Sequence, residues 1–275
     1  MAVAAHALDL VGDLYLQTAR LLNDPRPDVP DSAAEAAFEL NYACSLSTES
    51  ALILVGQHRV WDADILARSV VEGSLKFFYL LLAAPDDMQV RATEFFDTVP
   101  DCQAAFRLAK ANRLLELVDD RGAQEWVPIR EVIEIDSPVV DRISAIPSAD
   151  RREVQRRWSF TGLVEGLAER PGLEATAVLG FQYGMQSHHV HKDSNATGMI
   201  YEREERDALR RTAAVLAHGA RIVSDLAGMA GVRATLASRV SAADAGSLRD
   251  LRVRQDELDS MTKELELLWR RIEYP

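Results

Sequence analysis

The chain has 275 residues, of which 48% are apolar and 27% charged. That suits a soluble globular protein with room for one large core or two small ones. With 43 acidic against 31 basic residues the net charge is −12. Gripping a long duplex needs a basic face, so extended nucleic-acid binding is disfavoured, while a local basic pocket for a nucleotide or an RNA end stays open.

Ten prolines and 14 glycines, with Ala, Leu, Glu and Arg dominant, favour helix. Cys44 and Cys102 form neither metal-ligand spacing nor a disulfide framework and fit a reducing cytoplasm. The first residues lack a basic n-region and carry Asp9 and Asp13, so no signal peptide is expected. The apolar run SLKFFYLLLAA contains Lys76 and follows Glu72, too short and too charged to span a bilayer.

In chain order, a first helix is expected over residues 4–22, broken by NDPRPDVPDS. Ser32 with Glu35 reads as a capping box for a helix to about residue 57. Helices follow over 62–83, 87–97 and 101–118, the last two divided at Pro100. Residues 121–149 are ambiguous: Val127, Ile129, Ile133 and Ile135 hint at a strand, whereas Pro128, Glu131 and Glu134 suit a helical or irregular connection. Ser148 is a cap before REVQRRW, and TGLVEGLAERPG is a short helix. Further helices are expected over 173–189 and 202–228, with KDSNATG a loop between them. In the last helix, 247–273, Leu251, Leu258, Leu265 and Ile272 recur every seven residues. Such a stripe packs either on its own domain or on a second copy. The expected class is all-α, a multi-helix bundle with residues 1–230 as core and 231–275 as a C-terminal helix that packs on the core or dimerises.

Two stretches carry polar chemistry. Asp64, Arg68, Glu72 and Lys76 recur every four residues along an otherwise apolar helix, so Arg68 and Glu72 either pair inside the bundle or line a cleft. The second stretch, QSHHVHKDSN, holds three of the six histidines. Tyr183, Ser187, His188 and His191 share a helical face there. The spacing matches no standard metal-ligand pattern, and a helix C-terminus favours histidine without any function. No metal site and no cofactor are expected.

The segments LARSVVEGSLKFFYLL, WSFTGLVEGLAER and YGMQSHHVHKDS resemble a bacterial helical domain-of-unknown-function family with R-S-x-x-E, Trp-Ser and Tyr…Ser-x-x-Val-His motifs. Here these are Arg68-Ser69…Glu72, Trp158-Ser159 and Tyr183…Ser187…Val190-His191, spanning roughly residues 35–200. The chain departs from that pattern at His188, His189 and Lys192-Asp193. The family is similar to the HEPN superfamily of helical toxin and antiviral ribonucleases, whose signature pairs an Arg with a His a few residues on. Arg211, six residues and then His218 is one such match.

The resemblance implies a metal-independent ribonuclease or nucleotide-acting effector of a toxin-antitoxin or phage-defence system. In that reading Arg68, Glu72 and His191 are catalytic, and Tyr183, Ser187 and His188 contact substrate. Two other classes stay open: a non-catalytic helical module whose Arg/Glu/His cluster is structural, and a metal-dependent hydrolase using the histidines with Glu72. Expected partners are a second copy of the chain, an RNA or nucleotide substrate and an antitoxin or sensor protein, with no membrane. The expected location is cytoplasmic.

Overall fold

The computed structural model describes residues 2–180, 183 and 194–274. Among these are eleven α-helices and no strand. They are α1 (Ala2–Leu22), α2 (Asp31–Gly56), α3 (Val60–Leu81), α4 (Pro85–Thr93), α5 (Val99–Glu116), α6 (Val127–Ser144), α7 (Ser148–Arg157), α8 (Phe160–Ala168), α9 (Ser194–Glu205), α10 (Ala208–Val240) and α11 (Leu248–Glu273). No described helix is long and apolar enough to cross a membrane.

The core lies among α1, α2, α3 and α10, with α11 laid along α10 and the near face of α1. Its cohesion comes from apolar residues recurring every three or four positions, such as Leu10, Leu14 and Leu21 of α1 and Ile222, Leu226 and Leu236 of α10. Small residues let α2 approach α3 closely: Ala33, Ala36, Ala37 and Ala51 are buried. At the tightest point, a Cβ on Gly73 would stand 2.5 Å from Cys44 Sγ. Inside this core Arg233 is buried and donates to Asn41 Oδ1 (3.2 Å) and Ser74 Oγ (2.5 Å), neither of them charged. Burial pushes its pKa down.

The leucines at the start of the seven-residue stripe, Leu251 and Leu258, are buried in this same core. The boundary expected at residue 230 falls inside α10, which runs unbroken to Val240.

Several local expectations need correction. Ser32 does not cap α2: Pro30 holds the N-cap position, and the Ser32 hydroxyl reaches Gln89 Oε1 at 3.1 Å. Pro100 divides nothing, because it sits in the first turn of α5, where a missing N–H costs little. The break lies earlier, in a π-helical turn, Glu94–Thr98. Residues 127–144 are helix, the early Pro128 again falling in a first turn. Ser148 starts α7 without capping it, whereas Ser159 accepts a hydrogen bond from Gly162 N and caps α8. Residues 194–198, expected in a loop, open α9. The helix expected over 202–228 is two, because Asp207 accepts from the backbone N–H groups of Leu209 and Arg210 and starts α10 afresh.

Candidate functional site

The four-residue spacing on α3 divides its polar stripe. An α-helix turns about 100° per residue, so each step of four advances the side chain by about 40°. Over the three steps from Asp64 to Lys76 the stripe moves about 120° around the helix. Its two ends therefore meet different neighbours.

Arg68 and Glu72 meet Tyr183, and Lys76 holds Glu72. Arg68 Nη2 donates to the Tyr183 hydroxyl at 2.7 Å and its guanidinium lies 4.0 Å from the ring centroid. The hydroxyl donates to Glu72 Oε2 at 3.2 Å, and Lys76 Nζ donates to Glu72 Oε1 at 2.8 Å. Phe160 stacks on the ring at 3.4 Å and 9°. Burial opposes the Glu72 charge, but the Lys76 bond, with Tyr183 and Arg68 beside it, holds the carboxyl below its ordinary range. Burial raises the Tyr183 hydroxyl. Tyr183, one of the face set Tyr183, Ser187, His188 and His191, is thus a polar partner of Arg68 and Glu72. Ser187, His188 and His191 lie outside the described residues.

Asp64 turns the other way, into a second cluster built by α3, α9 and α10. His218, Arg221 and Asp225 recur at three- and four-residue steps and share one face of α10. Asp64 is buried, with Oδ1 3.0 Å from Arg221 Nη2 and Oδ2 3.4 Å from His218 Nε2, an ion-pair distance without hydrogen-bond alignment. Arg203 of α9 reaches over from the opposite side. Its Nη1 lies 3.0 Å from His218 Nδ1, and its guanidinium 4.3 Å from the centroid of the Trp61 ring. Trp61 meets the imidazole edge-on at 5.1 Å.

These contacts define the state of His218. Arginine only donates hydrogen bonds, so Nδ1 must accept, and the ring proton belongs on Nε2, facing Asp64. The imidazole is neutral. Burial pushes its pKa down, outweighing the nearby Asp64 carboxylate, and Arg221 and Arg203 push the same way.

The cluster opens on a cavity of about 800 Å³ whose far wall is α11, with Asp259, Thr262, Lys263, Glu266 and Trp269. Ser224 donates to Asp259 Oδ1 across it at 3.0 Å, and Trp269 Nε1 is buried without an acceptor among the described residues. Asp225, beside Arg221, is raised to about 6, chiefly by burial. The cavity lining therefore mixes charges: Arg203, Arg206 and Arg221 with Glu202 and Asp225 on the α9–α10 side, and Lys263 with Asp259 and Glu266 on α11. A second cavity of about 630 Å³, mostly apolar, shares Ser224 and Asp225 as wall. Arg68, Glu72 and Tyr183 line neither.

Of the Arg211–His218 pair only His218 belongs to the site. Arg211 is half-exposed and turned to the backbone carbonyl and carboxylate of Glu204. Arg203, Arg221, Asp225 and Trp61 escaped the sequence reading. No described group of three His, Cys, Asp or Glu side chains is placed to hold a metal ion. No family model, curated protein or solved structure matches this chain, so the reading of the site rests on its own geometry.

Proposed function

We propose that the Asp64–His218 cavity binds an RNA phosphodiester and cleaves it without metal. The observation that carries this reading is the chain of contacts from Asp64 through His218 to Arg203, with Arg221 alongside, on the wall of one roomy cavity. RNA holds its own nucleophile, the 2′-hydroxyl. Cutting it needs a base for that proton and cations for the charge that builds on phosphorus.

His218 Nδ1 would take the 2′-hydroxyl proton as O2′ bonds to phosphorus. The bond from phosphorus to O5′ then breaks, and O5′ takes a proton back from the imidazolium or from water. The products are a 2′,3′-cyclic phosphate and a 5′-hydroxyl. Asp64, on the Nε2 side, would hold the ring orientation and stabilise the imidazolium. Arg203 and Arg221 would meet the phosphate oxygens. The net charge of −12 favours a single-stranded segment or RNA end over a long duplex. Arg68, Glu72 and Tyr183 act in this reading as a clasp between α3 and the segment of Tyr183. The HEPN-like role of an effector restrained by a partner protein is compatible with this chemistry.

The test is incubation of single-stranded RNA with the purified protein in excess EDTA, reading the product ends. Cleavage to cyclic phosphate ends is expected, falling by about 100-fold or more in His218→Ala with its helical circular dichroism retained. An inactive parent, or a variant as active as the parent, overturns the reading.

The burial of Asp64 and of the His218 ring supports a second reading, a non-catalytic module in which this cluster ties α3, α9 and α10 together. It requires His218→Ala to melt far below the parent, with RNA left intact by both.

A further inference from the structure

His218 is not ready to act as a base as it stands, because Arg203 occupies the lone pair that would take the proton. Arg203 itself is poorly matched. Among the described residues it has no carboxylate partner, only the imidazole nitrogen and the face of Trp61. Burial disfavours its charge. Arg206, three residues on, is paired with Glu202 and Glu273, so α9 has carboxylates within reach and spends them elsewhere. A half-buried guanidinium held by a neutral nitrogen gains from exchanging it for an oxyanion, since charge-assisted bonds are roughly twice as strong as neutral ones.

We propose that Arg203 is a ligand-operated cap on His218: a phosphate oxyanion entering the cavity takes the guanidinium and frees Nδ1 to accept a proton. This rests on the phosphodiester reading for its ligand, and it gives Arg203, which there meets the phosphate oxygens, the further role of controlling access to the base. The other groups facing the imidazole act in both states. Asp64 of α3 favours its protonation and Arg221 of α10 opposes it, and the same cavity is lined by Glu202 and Arg206 of α9, Asp225 of α10 and Asp259, Lys263 and Glu266 of α11. Loss of the Arg203 contact is the change a ligand makes. The base is blocked in the empty cavity and released by the group on which it acts.

The test reads the ring nitrogens of His218 by 15N-edited NMR, its signals assigned among the six histidines by their absence in His218→Gln. Titrations are run in sodium chloride, in inorganic phosphate at matched ionic strength, and with a 5′-mononucleotide. In chloride the ring is expected as the Nε2–H tautomer with a midpoint below the ordinary histidine value. Either phosphate source should raise the midpoint by about one pH unit, a tenfold gain in proton affinity. Arg203→Met, which keeps an apolar side chain against Trp61, should start at the raised midpoint in chloride. A parent that binds neither probe, or binds one with no change of midpoint, overturns the cap. A variant that folds but titrates like the parent in chloride does so too. Should Arg203→Met fail to fold, the shift in the parent decides alone. A phosphate-dependent midpoint without RNA cleavage keeps the cap and removes the ribonuclease reading. Cleavage without the shift does the reverse.

Discussion

His218 and Asp225 stand two turns apart on α10, and burial moves both toward their neutral forms. The consequences for stability have opposite signs. The unfolded chain binds protons at His218 more readily than the folded protein does. Its contribution is complete above the ordinary value of about 6.5 and is lost as pH falls through the lowered folded value. Asp225 is the reverse. Its folded value of about 6 exceeds the ordinary 3.8, so its contribution is complete below 3.8 and is lost as pH rises through 6. Asp225→Asn should match the parent near pH 4 in urea unfolding and exceed it by about 1–2 kcal/mol at pH 8, allowing for a side chain partly open to solvent. His218→Gln should lack the parent's loss of stability below pH 6.5. Equal parent and Asp225→Asn stabilities at pH 8 would show that the Asp225 carboxylate is solvated. Arg233 poses a different residue-scale question, a buried cation with only neutral acceptors. Asn41→Ala strips one acceptor from a buried charge and should cost about 2–3 kcal/mol. Arg233→Met, which removes the charge and keeps the volume, should stay within about 1 kcal/mol of the parent. Denaturant melts of the two variants check that order.

At the scale of elements, the decisive contacts are a close approach and a cap. Gly73→Ala would drive a methyl into Cys44 Sγ and should destabilise the α2–α3 packing by about 1–3 kcal/mol. Cys44→Ala in the same chain should recover much of that loss, and a double-mutant cycle of melting curves measures the recovery. Asp207→Ala removes the acceptor for two N–H groups at the start of α10 and should cost about 1 kcal/mol. These elements also show what could be read from residues alone. The apolar periods of α1, α3 and α10 stand plainly in the sequence, and the bundle follows from them. The break between α9 and α10 was present as Asp207 but lay hidden in the charged run YEREERDALRR, where helix-compatible residues surround the cap. On α3 the four-residue stripe was visible, and so was the need of Arg68 and Glu72 for a polar partner, which Tyr183 supplies. The separation of Asp64 from that group was not visible, because a 40° drift matters only once the neighbouring helices are placed. His218 could be singled out by its spacing from Arg211, but its real partners come from α3 and α9, and no local pattern links Asp64, Arg203 and His218.

For the whole molecule, α11 decides whether the site exists. The helix supplies the far wall of the cavity, and its Leu251 and Leu258 sit in the core shared with α1 and α10. The seven-residue repeat is thus used within the chain over its first half, as a helix with one apolar seam requires. Association of two copies through α11 would have to use residues left outside, such as the exposed Leu267 and Leu268. This gives a clear expectation for a chain ending at Ala245. Without α11, the apolar faces of α1 and α10 against which it packs lose cover that each buried aliphatic side chain values at about 1.5–3 kcal/mol. Several such losses equal the whole stability of a typical domain. The truncated chain should show no cooperative thermal transition, should aggregate or run as an expanded species in size-exclusion chromatography, and should bind no phosphate. That outcome is expected whether the intact chain is a monomer or a dimer, so light scattering on the intact chain measures association separately. A truncated chain that melts cooperatively within a few degrees of the parent would show that α11 is an appendage, and the cavity would then lose its far wall without the bundle losing its fold.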